Sequence, residues 1–207
     1  MRDNAIQLEG LMGVIQRLSE DVRICLVGVD ASSKEETPDE DVSSYCRRMY
    51  ARSVINFLDG ITYRLMYHAY AARFRPEVML TADEIQRLEK YYDFDEGEEA
   101  QTILSQSQML ENIRFAFRTF ARVHYSDYVL PTHAPEWVFI KEIARLRDAL
   151  LYPRAADELE VFEENIETLL EGMKWFSQRL ADLFSEIKDS TLERINEWQA
   201  NEDEIIM

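Results

Sequence analysis

With 207 residues, 46% of them hydrophobic, the chain has enough apolar side chain to bury one well-packed core, which excludes wholesale disorder. Six glycines and five prolines suit long helices and argue against a turn-rich β fold. Lys and Arg number 23 against 40 Asp and Glu, a net charge of −17; this argues against nonspecific nucleic-acid binding, which draws its affinity from cationic side chains at phosphates.

In chain order, the N-terminus, MRDNAIQLEG, lacks the apolar core of a signal peptide. Residues 4–27 have helical periodicity, with Ile6, Leu8, Leu11, Met12, Ile15, Leu18, Val22 and Leu26 falling mostly on one stripe. The acidic, proline-containing stretch Asp30 to Asp41 reads as a linker. A long helix is expected from Val42 to Phe74, stopped by Pro76, with Gly60 placed for a close helix crossing. Thr81 and Glu84 stand three apart ahead of an apolar run, the spacing of a capping box, and open a helix to about Tyr92. Asp93 to Ala100 is an acidic loop. A further helix spans 101–124 and shows Arg114, Arg118 and Arg122 at four-residue intervals. Pro131 and Pro135 mark the next loop, and a helix over 136–151 follows, with Pro153 just past its end. A final long helix spans about 160–197, and the last residues read as frayed.

No segment alternates as a strand would, so the fold class is all-α: an antiparallel helical bundle with an additional N-terminal helix. The domain reading is an N-terminal helix and acidic linker over 1–41, a bundle over 42–197 and an acidic tail over 198–207. Cys25 and Cys46 are too few and too isolated for a disulfide framework, and no apolar run reaches the roughly 18 residues of a membrane span. These features point to a cytoplasmic protein with reduced thiols and no membrane partner. The acidity serves solubility, or it steers docking to a basic protein partner.

The stretch from Lys141 to Leu159, KEIARLRDALLYPRAADEL, carries the most specific pattern. A helix ends in Arg147-Asp148, an apolar pair Leu150-Leu151 follows, and the chain then turns at Tyr152-Pro153-Arg154. A last amphipathic helix holds Trp175-Phe176, and an earlier stretch reads ARSVINFLDGITYRLMY from Ala51 to Tyr67. Together these segments resemble the HEPN family of helical bundles (higher eukaryotes and prokaryotes nucleotide-binding). The resemblance covers about a quarter of the chain and agrees elsewhere only in helix type.

The resemblance implies a two-fold homodimer and, in the family's nucleases, an Arg-x(4–6)-His motif that cleaves RNA without metal. There the arginine stabilises phosphate charge and the histidine does acid–base work. Carried onto this chain, Arg147 keeps the arginine's place and Asp148 that of the polar neighbour that orients it. Tyr152 stands where the histidine would be, and a phenol, with an ordinary pKa of about 10, is a poor base at neutral pH. The implied function is a catalytically degenerate binding or assembly subunit in a bacterial stress, defence or toxin–antitoxin setting. A working ribonuclease with a substitute acid–base, and a structural scaffold, are the alternatives. Arg154 with Arg114, Arg118 and Arg122 would face RNA or another partner, or would pair with the many glutamates.

No cofactor or metal is expected. The three histidines, His68, His124 and His133, form neither HExxH nor ExxH, and the acidic loop lacks calcium-loop spacing. Arg64 and His68 share a helix face and read as structural. His124, near a helix end, is placed for a cation to meet the helix dipole.

Overall fold

The computed structural model describes residues 2–34, 39–75, 78, 80–92 and 106–206. The expected stop at Pro76 and the expected acidic loop at 93–100 lie outside them. Among the described residues the structure is all-helical, with no strand. Six helices run in order: α1 Arg2–Ser33, α2 Glu40–Ala72, α3 Ala82–Tyr92, α4 Gln106–Val123, α5 Trp137–Leu151 and α6 Glu163–Ile206. One 3-10 turn, Ala156–Leu159, sits between α5 and α6.

Several boundaries differ from the sequence reading: α1 runs on to Ser33, into the stretch read as a linker from Asp30. The linker narrows because Asp39 starts α2 early, its Oδ1 accepting from the N–H groups of Asp41 and Val42 at 3.0 and 3.3 Å. At the other end α6 continues to Ile206, where a frayed tail from 198 was expected.

The chain divides into two compact units, and the division does not follow the expected boundary at residue 41. The first unit takes 1–64, 102–113 and 131–176, so α1 groups with the first three quarters of α2 and with α5. Its core includes Tyr50, Val54, Phe57, Ile61, Ile140 and Phe176, each all but removed from water. Each such side chain contributes about 1.5–3 kcal/mol. Phe57 and Phe176 meet edge to face, with ring centroids 6.1 Å apart. Two glycines set the helix approaches. A side chain at Gly60 of α2 would come within 2.7 Å of Leu18 on α1, and one at Gly172 of α6 would collide with Ile143 on α5.

The second unit takes 65–101, 114–130 and 177–207. Leu65, Met66, Leu88, Phe117, Phe120 and Leu183 fill its interior. The capping box forms as the spacing required: Glu84 N–H donates to Thr81 Oγ1 at 3.3 Å, and Thr81 N–H donates to Glu84 Oε2 at 3.0 Å. The end of α4 is closed by two bonds, Ser126 N–H to Ala121 O at 3.0 Å and Tyr125 N–H to Arg122 O at 3.1 Å. That pattern needs a left-handed residue, usually glycine. Here it is Tyr125, at φ 59°.

Candidate functional site

α5 presents an apolar face through Ile140, Ile143, Ala144 and Leu150, and that face carries Arg147 inward with it. Arg147 is only 4% exposed. Its Nε donates to Asp59 Oδ2 on α2 at 2.9 Å, while a terminal nitrogen lies 3.5 Å from Asp148 Oδ1. A guanidinium this far from water needs such partners, because an unpaired buried charge costs several kcal/mol. The two carboxylates remain about one third exposed.

Tyr152 is not drawn into this pair. It caps the C-terminus of α5, its N–H donating to Asp148 O at 3.0 Å, and its side chain is 49% exposed. Arg154 is exposed in the following turn, where its N–H donates to Glu158 Oε2 at 2.8 Å. The expected constellation is therefore divided: Arg147 and Asp148 come together, with Asp59 added, and Tyr152 and Arg154 face solvent.

Asp59 was missed by the sequence reading, although a signal was there. It is the only acidic residue between Val42 and Ala72, and a lone carboxylate within a long, largely buried helix asks for a cation.

Two of the three α4 arginines, Arg118 and Arg122, pair with a glutamate. Glu84, buried at the start of α3, receives Arg118 Nε at 3.0 Å on one oxygen and Arg122 at 2.7 Å on the other. Burial alone would raise the pKa of Glu84. The Thr81 N–H and the two guanidiniums outweigh it and hold the carboxyl below its ordinary value. Arg114 is exposed on the same helix.

His124 departs from its expected role. It is not a cation at a helix end: burial first, and the nearby charge of Arg75 second, push its pKa down to about 4. Its Nε2 lies 2.9 Å from Nε2 of His68. His133 is exposed in the loop after α4. Among the described residues no three His, Cys, Asp or Glu side chains gather in a way that could hold a metal ion, and no helix is long and apolar enough to cross a membrane.

The chain matches no protein-family model, no curated protein and no solved structure at a significant level.

Proposed function

We propose that the protein is a HEPN-like helical subunit that binds and assembles and does not cleave RNA. The observation that carries this reading is the state of Arg147. A phosphate-stabilising arginine must offer its fork to the ligand. This one is buried and paired with Asp59 and Asp148. The position that would carry acid–base chemistry holds an exposed tyrosine. A bacterial stress, defence or toxin–antitoxin setting rests on the family resemblance alone.

The partner in this reading is a second copy of the chain. α2 shows a row at three- and four-residue intervals, Val42, Tyr45, half-buried Met49, Arg52 and Asn56, with Tyr63 two turns further on. That spacing is the seam a helix uses against another helix. Val42, Tyr45 and Tyr63 are each close to half exposed. Beside the row, Asp21 and Ile24 of α1 and Met49 and Arg52 of α2 help to line a cleft of about 300 Å³. A cleft with one acid and one base on its walls suits a self-complementary, two-fold contact.

RNA incubated with the purified chain in chelator, beside Arg147→Ala, tests the reading. It expects no cleavage above the variant. Cleavage that disappears in Arg147→Ala would overturn it and make the protein a metal-independent ribonuclease.

A further inference from the structure

His68 of α2 and His124 at the end of α4 lie in the same unit, 56 residues apart in sequence. Their rings stack with centroids 4.8 Å apart, and their Nε2 atoms face each other at 2.9 Å. Phe120 closes over both, 5.0 Å from His68 and 4.8 Å from His124, and Phe184 of α6 packs edge-on against Phe120. His68 is 3% exposed.

A nitrogen–nitrogen contact of this length is a hydrogen bond, and it requires one Nε2 to carry a proton and the other to be bare. Two neutral rings satisfy it. One extra proton can be taken on the Nδ1 of the donor ring without breaking it. A second must go to the accepting Nε2, which ends the bond and leaves two cations in contact.

Among the described residues, Arg75 and Arg194 bring cations toward the pair. From the chain just beyond α2, Arg75 acts on His124 as a cation. On α4, Arg122 is matched by Glu84 of α3, which Arg118 also holds. From α6, Arg194 lies 3.5 Å over the ring of Tyr125, next to His124. Tyr125 itself holds a left-handed backbone that a tyrosine adopts at a cost, so the end of α4 is under strain at the point where His124 fastens it.

We propose that the His68–His124 pair is an acid-released latch: as a neutral pair it ties the end of α4 to α2, and protonation of both rings lets that end open. The depressed pKa of His124 agrees, since a closed latch resists the proton. Opening exposes two imidazoles that each take up a proton near their ordinary value, so acid pulls the equilibrium toward the open form.

The test is hydrogen exchange over residues 119–125 in the full chain, corrected for intrinsic rates, with histidine NMR on the same sample. The open form takes up two protons and the closed form at most one, so local opening in the wild type should rise close to tenfold between pH 6 and 5. His124→Gln, which keeps a hydrogen-bonding side chain but does not titrate, should remove most of that rise. At pH 7 the spectra should show one protonated and one bare Nε2 in the pair, with exposed His133 as the reference. If His124→Gln does not fold, the wild-type spectra and exchange decide alone. Corrected exchange that does not change with pH, or His68 and His124 titrating together with His133, would overturn the latch.

Discussion

Asp59 and Arg147 are 88 residues apart in sequence and 2.9 Å apart in the fold. The cost of separating them falls mostly on the buried partner. Asp59→Ala leaves the guanidinium with Asp148 at 3.5 Å as its remaining carboxylate contact on α5, and should destabilise the protein by about 2 kcal/mol in urea unfolding. Tyr152→Phe removes an exposed hydroxyl and should stay within about 0.5 kcal/mol of wild type in the same measurement. Acid should act through two further residues. The folded pKa of His124 is about 4 against an ordinary 6.5. Its contribution is complete above pH 6.5 and is lost as pH falls toward 4, a loss of about 2 kcal/mol by pH 5. Glu84 is depressed from 4.5, so its contribution is present above that value and fades below it. Urea midpoints at pH 7, 5 and 4 should fall in that order, and His124→Gln should remove most of the first drop.

Elements with local causes were legible before the fold was seen. The α3 start was readable because Thr81 and Glu84 are three residues apart and bond to each other. Thr81→Ala should cost about 1 kcal/mol. The role of Gly60 was also readable, since a bare residue inside a long helix invites a neighbour. Leu18 takes the space, and Gly60→Val should destabilise by about 1–3 kcal/mol through overpacking. Thermal or urea unfolding of the two variants checks both. The end of α4 was not legible. Its closing pattern asks for glycine, and nothing in the local sequence marks Tyr125 as left-handed. Glu84 as the collector of Arg118 and Arg122 was equally hidden, because those contacts span 34 and 38 residues.

At the scale of the molecule, helix period and scarce glycine gave the all-α class, because both are properties of composition and spacing. The division into two units was hidden, since α2, α4 and α6 each contribute to both and only tertiary contacts say where one ends. The charge of −17 bears on assembly as well. Two copies repel at long range, so the proposed homodimer should strengthen as salt is raised and should revert to 24.4 kDa monomers in Tyr45→Lys. Static light scattering at low and high salt reads both. Whether this acidic molecule meets RNA through α5 depends on where Arg147 spends its charge, within the fold or on a ligand. A double-mutant cycle in urea, combining Arg147→Met with Asp59→Ala, measures that directly. The account predicts a coupling of about 2 kcal/mol between the two sites. A coupling near zero would contradict it and leave the guanidinium available for phosphate.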